Sequence, residues 1–349
     1  SHAAREVRVM PESRIWIRPI PLNDRIDLFF SWITDSRRPA LAPRRAEATA
    51  DKASNARLRV AVVIDASGSM KKQDPSLLSK VAAKLFVELA GPKDEVGIVE
   101  FGTSARLIDR AFVKGEGARK RLFKAIDKVG RSQECTDYLA GLETALSMFK
   151  GAPKEGERRL IIFLTDGTYD PDRSNKAYYD LLSEEEKKSL FPKRVAKLWE
   201  RSKDTEHFKS RPCSSRYKAL GPAVRRGFKH AFGTFLKKKL VPSKVRVFAI
   251  GFGTALAGKD KGDAGRLSES LGLLKKVAKR SRGRTLIEHD VNKIPAFFAQ
   301  IFAALVGAPV QGFPPSGKKK SNAYTFKVVK GTRALGVVVP TEGDKTFSV

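Results

Sequence analysis

Between Arg59 and Val306 short apolar runs alternate with longer stretches whose apolar residues recur at helical spacing. "RVAVVIDASGSM" opens with β-branched residues on both parities, the pattern of a strand buried on both faces. "PSLLSKVAAKLFVELAG" repeats its apolar positions every three to four residues and stops at Gly91, as a helix does. "DEVGIVEFG", "RRLIIFLTDG" and "KVRVFAIGFG" predict further strands. "GARKRLFKAIDKVG", "TDYLAGLETALSMFKG", "RLSESLGLLKKVAKRSRG" and a last segment ending at Val306 predict helices. Strands that alternate with helices make right-handed βαβ units, so the expected fold is α/β, a mostly parallel sheet with helices on both faces.

Two regions depart from that rhythm. The interval 168–243 is far longer than an ordinary strand connection, and its Lys and Arg outnumber its acids more than two to one. Its helix-like pieces, "SEEEKKSLFPKRVAKLWERS" and "GPAVRRGFKHAFGTFLKKKL", make it a basic helical insertion within a core at 59–307. The ends read as strands: "EVRVM", "SRIWIRPI" and "RIDLFFSW" in segment 1–36, "AYTFKVVKG", "TRALGVVVP" and "KTFSV" in segment 308–349. These β-rich ends are expected to pair into a small antiparallel module, and residues 37–58 read as an exposed linker. The run also stops inside a strand-like stretch at Val349, as a fragment of a longer protein would.

Composition adds a strong charge. Lys and Arg number 68 against 38 Asp and Glu in 349 residues, a net +30. Such a field attracts acidic proteins, nucleic acid or other acidic polymers, and it also suits a merely solvated surface. In the insertion Trp199, Phe208, Tyr217, Phe228, Phe232 and Phe235 interleave with bases, as on a nucleic-acid surface or in amphipathic helices that bury their rings. The longest uncharged run, 294–317, is interrupted by Pro295, Gln300, Gly307 and Pro309, and reads as a helix ending at Gly307, not as a membrane span.

Several chemistries lack their residues. Two cysteines, Cys135 and Cys213, and four scattered histidines give no zinc spacing and no disulfide framework. Cys135 reads as a small, partly buried thiol, and His207 and His230 as surface residues. "GTALAGKD" spells most of a phosphate loop but lacks the following Ser or Thr, so it reads as a flexible glycine loop. An aspartyl phosphotransferase wants a second acid where Ser67 stands, and no Gly-x-Ser-x-Gly surrounds Ser67 or Ser69. An enzyme is not expected. The ragged N-terminus, "SHAAREV", leaves the compartment open.

What remains is a set of oxygen donors at strand ends, where an open α/β sheet binds its ligands. Asp65, Ser67 and Ser69 follow the first core strand, Thr136 opens a helix, and Asp166 follows "IIFLT". Two carboxylates buried together are costly unless a cation offsets them, and hard oxygen donors suit Mg²⁺, Mn²⁺ or Ca²⁺. This order, Asp65-x-Ser67-x-Ser69, then Thr136, then Asp166 in "LTDG", resembles the metal-ion-dependent adhesion site of the von Willebrand factor type A domains. The resemblance covers about 59–306, including "DEVGIVEFG" and the terminal helices. It implies the Rossmann-like fold of that family and a divalent metal held directly or through water by Asp65, Ser67, Ser69 and Thr136, with Asp166 acting through water. It implies a protein partner whose Glu or Asp completes the metal's shell. Glu134-Cys135 stands where the family often has Gly-Gly, and the insertion is no part of its minimal domain.

The expected function is a non-catalytic protein-interaction or adhesion module. Two settings follow from the resemblance: a bacterial envelope or secreted protein flanked by β-structure, or a type A subunit partnering an AAA+ ATPase, as in chelatase or MoxR-like systems. A nucleic-acid-binding protein using the basic insertion is the alternative from a different class.

Overall fold

Every residue of strand Glu95–Phe101, and all but two residues in each of strands Arg57–Asp65 and Glu157–Thr165, are buried. A strand covered on both faces must be apolar on both parities, which is why the run after Arg59 does not alternate. The computed structural model describes residues 14–21, 57–171, 181–186, 221–253, 264–288 and 334–341, with Tyr178, Ile294, Phe297, Phe298 and Ile301. Described elements in chain order are β1 (Arg14–Pro21), β2 (Arg57–Asp65), α1 (Met70–Gln73), α2 (Leu78–Leu89), β3 (Glu95–Phe101), β4 (Ala105–Phe112) and α3 (Gly115–Asp127). They continue with α4 (Tyr138–Leu146), β5 (Glu157–Thr165), α5 (Gly221–Phe235), β6 (Arg246–Phe252), α6 (Ala264–Arg280), β7 (Arg284–Glu288) and β8 (Ala334–Thr341).

The main sheet has six strands in the order β4-β3-β2-β5-β6-β7, parallel throughout except for the β3–β4 pair. This is the expected α/β fold, a mostly parallel sheet between helices. Parity assigns the two layers. Val60, Val62 and Ile64 face α2 and α3 together with Ile294 and Phe298, whereas Ala61, Val63, Ile161 and Phe163 face α4, α5 and α6. β2 lies at the centre of the sheet, and its carboxyl end pairs with that of β5, Ile64 opposite Leu164. The order change from β3 to β5 around β2 opens a crevice at those ends, where ligands of such sheets bind.

β4 and β7 escape the apolar pattern. β4 is an edge strand, "ARLIDRAF", partly exposed along its length, with Arg106, Asp109 and Arg110 breaking the hydrophobic run as edge strands require. β7 is the opposite edge and only five residues long. β2 begins at Arg57, inside the stretch read as linker.

The two-stranded sheet corrects one expectation. β1 pairs with β8 in parallel, from Arg14 opposite Ala334 to Pro21 opposite Thr341, not antiparallel. Antiparallel neighbours need only a short turn, whereas parallel ones need a crossover. Here the whole core intervenes in the chain, so turn geometry imposes no direction. The other strand-like end segments and the rest of the linker lie outside the described residues.

The insertion contributes α5, which continues as a π-helical turn at Leu236–Leu240 and a last turn at Val241–Ser243. Phe228, Phe232 and Phe235 are at most 2% exposed and join the core on the α4 face. Those rings pack instead of stacking on bases, so the nucleic-acid reading loses its described aromatic surface. Trp199, Phe208 and Tyr217 lie outside the described residues. Ile294 and Phe298, from the uncharged run, are buried against the sheet. No helix among the described residues is long and apolar enough to cross a membrane.

Candidate metal centre

Parallel pairing of β2 with β5 sets Asp65 beside Thr165, and the chain turns at both points into loops. Asp65 is fully buried; its Oδ1 accepts from the Ser67 backbone N–H at 2.8 Å and its Oδ2 from the Thr165 hydroxyl at 2.7 Å. Burial pushes its carboxyl up to about 6, opposed by the bonds from Ser67 and Thr165. Ser69 Oγ donates to Asp166 Oδ1 at 2.9 Å, and Ser67 Oγ lies 2.9 Å from Ser69 Oγ.

Asp166 is fully buried too, and its Oδ2 has no hydrogen-bond partner among the described residues. Burial, then the negative charge of Asp65, holds its carboxyl well above the usual carboxylate range. An orphaned buried carboxylate oxygen is rare and costly.

Backbone lacing fixes the loops to each other. Gly68 N–H donates to Gln133 O at 2.8 Å and Gln133 N–H to Ala66 O at 3.0 Å. Thr136 and Asp170 exchange two bonds, of 3.0 and 2.8 Å. A cavity of about 490 Å³ opens where the loops meet, lined by Ser67, Ser69, Thr136 and Asp166, with Lys71 and Glu134 also on its wall. The sequence-predicted donors therefore converge: four line the cavity, and Asp65 lies in the strand end from which the Ser67–Ser69 loop departs. Among the described residues no three His, Cys, Asp or Glu side chains gather. The remaining members of the cluster are the hydroxyls of Ser67, Ser69 and Thr136.

The structure adds one residue that sequence reading passed over. Thr165 holds Asp65, and its place one residue before Asp166 was the available signal. Asp137 caps α4, accepting from Leu139 N–H at 3.0 Å and Ala140 N–H at 3.1 Å, with burial pushing it up to about 6. Cys135 is corrected: it is fully buried and disulfide-bonded, not a thiol. The chain's only other cysteine, Cys213, lies outside the described residues. His230 is half-exposed, with Nε2 3.1 Å from Glu186 Oε1, a surface contact as expected, and His207 lies outside the described residues. Of the glycine loop, only Gly253 is described.

Residues 60–168 match the family model of the von Willebrand factor type A domain. That stretch holds all five of those residues, and the six-stranded, mostly parallel sheet between helices is consistent with the Rossmann-like α/β fold of that family. No curated protein matches the chain. Among solved structures, a von Willebrand factor type A protein from Catenulispora acidiphila is 16% identical over 72% of this chain and 43% of that one, with a TM-score of 0.40. The PilB minor pilin from Streptococcus sanguinis is 15% identical over 72% and 62%, with a TM-score of 0.46. Proximal thread matrix protein 1 from the mussel byssus, with a zinc-occupied metal-ion-dependent adhesion site, is 19% identical over 72% and 45%, with a TM-score of 0.39. The chain spans less than two thirds of the length of each of these proteins.

Proposed function

We propose that Asp65, Ser67, Ser69, Thr136 and Asp166 hold a divalent cation, Mg²⁺ or its substitutes Mn²⁺ and Ca²⁺, and that through it the chain captures an acidic residue of a protein partner. The observation that carries this reading is the unpartnered, buried Asp166 Oδ2 beside a second buried carboxylate. A cation is the group whose chemistry supplies what both acids lack, a positive charge where water is excluded. All the donors are hard oxygens, as Mg²⁺ requires, and few enough to leave a position for an outside carboxylate. The net charge of +30 favours approach of an acidic partner. In this reading the donors hold and orient a cation, and the module binds a partner instead of catalysing a reaction.

The test is capture of partners from a lysate on the immobilised chain, with Mg²⁺ and with chelator. Capture is expected to vanish with chelator and in Asp65→Ala, whose circular dichroism spectrum stays that of the wild type. Binding that survives both changes refutes the mechanism.

Burial of Asp65 has a pH consequence in the metal-free chain. Its carboxyl titrates at about 6 folded against an ordinary 3.8, so between those values the folded state binds more protons than the unfolded one. Stability therefore falls as pH rises through that window, by about 3 kcal/mol, and stays lower above it. Asp65→Asn carries the uncharged form at every pH and serves as reference. In chelator the wild type is expected to melt within about 1 °C of this variant at pH 4 and about 5–10 °C below it at pH 7. A difference that does not change between pH 4 and pH 7 contradicts the assignment.

A further inference from the structure

The interval between β5 and β6 does more than fill the core. Asp137, next to Thr136, spends one carboxylate oxygen on the α4 cap and offers the other, Oδ2, to the Tyr178 hydroxyl at 2.6 Å. Asp137 is 2% exposed, and its backbone N–H donates to Gly102 O at 2.8 Å. Donors thus grip both oxygens from opposite sides, one set in α4 and one in the insertion, and the carboxylate cannot turn without breaking one of them.

Tyr178 is itself held. Its ring is nearly buried and meets Phe228 of α5 edge-on, centroids 5.5 Å apart at 88°. Gly227 explains the closeness: a Cβ there would lie 1.9 Å from the Tyr178 carbonyl oxygen, so only glycine lets the helix approach. Phe228 in turn stacks on Tyr169, centroids 4.8 Å apart at 22°. Tyr169 lies three residues after Asp166, donates its backbone N–H to Ser270 Oγ at 3.0 Å and its hydroxyl to Glu269 Oε2 at 2.7 Å. One aromatic stack, anchored on α5 and α6, therefore touches both loops of the candidate metal centre: the Thr136 loop through Tyr178, the Asp166 loop through Tyr169.

Resting on the metal reading above, we infer that Tyr178 is a positioning residue for the metal centre, fixing the Thr136 hydroxyl through Asp137, and that the insertion sets the affinity of the site. A cation with few protein ligands binds in proportion to how well those ligands are held before it arrives. Loss of one supporting hydrogen bond behind a ligand typically weakens metal affinity by about 10–100-fold.

The experiment is Mn²⁺ titration calorimetry on the full chain. Tyr178→Phe removes one hydroxyl and keeps the ring in its aromatic contacts; its Mn²⁺ Kd is expected to weaken at least about tenfold. Gly227→Ala, which displaces Tyr178 from the helix side, is expected to weaken Kd in the same direction despite its gain in helix propensity. Val87→Ala, in the core on the other face of the sheet, lowers the melting temperature and is expected to leave Kd unchanged. Wild-type affinity in Tyr178→Phe, with or without a lowered melting temperature, overturns the inference alone. Absence of Mn²⁺ binding by the wild type overturns the metal reading and the inference with it.

Discussion

Asp166→Asn is expected to raise the melting temperature of the metal-free chain by a few degrees and to weaken its Mn²⁺ affinity by at least ~100-fold. The two effects have one cause. Asp166 is fully buried, its Oδ1 takes the Ser69 hydroxyl at 2.9 Å, and its Oδ2 has no partner among the described residues. Asn keeps the shape and the acceptor for Ser69 and removes a charge that repels Asp65, so the fold gains. The same change puts an amide N–H₂, a donor, where a cation needs a lone pair, so the site loses. A purely structural Asp166 predicts the reverse pairing, in which the neutral variant alters stability and calorimetry shows no change in Mn²⁺ binding. Melting curves in chelator and one titration separate the two.

Asp74→Ala is expected to destabilise the fold by about 3–5 kcal/mol, lowering the melting temperature by about 10 °C. Asp74 is fully buried and stands where the short α1, which continues the Ser69 loop, gives way to α2. Leu77 precedes α2 in a left-handed conformation, φ 57°, and provides no side-chain cap. Asp74 serves in its place: Oδ1 accepts from Leu78 N–H at 2.7 Å, and Oδ2 accepts from Ser79 N–H at 2.9 Å and Ser79 Oγ at 2.6 Å. Alanine leaves all three donors buried without an acceptor. Its backbone carbonyl accepts from Arg131 Nη1 at 2.9 Å, so the same turn also ties down the loop before Thr136. Asp74→Asn keeps one carbonyl acceptor and is expected to cost about half as much, a graded series that denaturant unfolding reads directly. Equal, small losses in both variants would show that the cap carries no weight.

These two acids show how differently a sequence exposes its residues. Asp166 stood out in the sequence because it directly follows a buried apolar strand. Asp74 did not, because an Asp before Pro75 in a polar stretch looks like any turn residue, and its three bonds form only once α2 folds back onto it. Thr165 lies between these cases: it adjoins Asp166, yet its tie to Asp65 exists only because β2 and β5 pair in one register.

The same division holds across the fold. The parallel core was legible from β2, β5 and β6, since strands buried on both faces are apolar on both parities, a property of each short segment alone. β4 and β7 were not, because an edge strand is half solvated and its pattern carries charges such as Arg106 and Arg110. Phe228 and Phe232, spaced among bases, fitted both a binding surface and a buried helix face, and only the α4 side of the sheet settled which.

By itself the sequence determined the secondary-structure rhythm of the core and the identity and order of the oxygen donors, because strand burial, helical spacing and motif spacing are local. Tertiary structure alone decided that four of those donors line one cavity, that β1 runs parallel to β8, that Cys135 is bonded, and that Tyr178 reaches Asp137 from 41 residues away. Such contacts join segments whose separation along the chain says nothing about their register, and they form only when the whole sheet and its helices close around them.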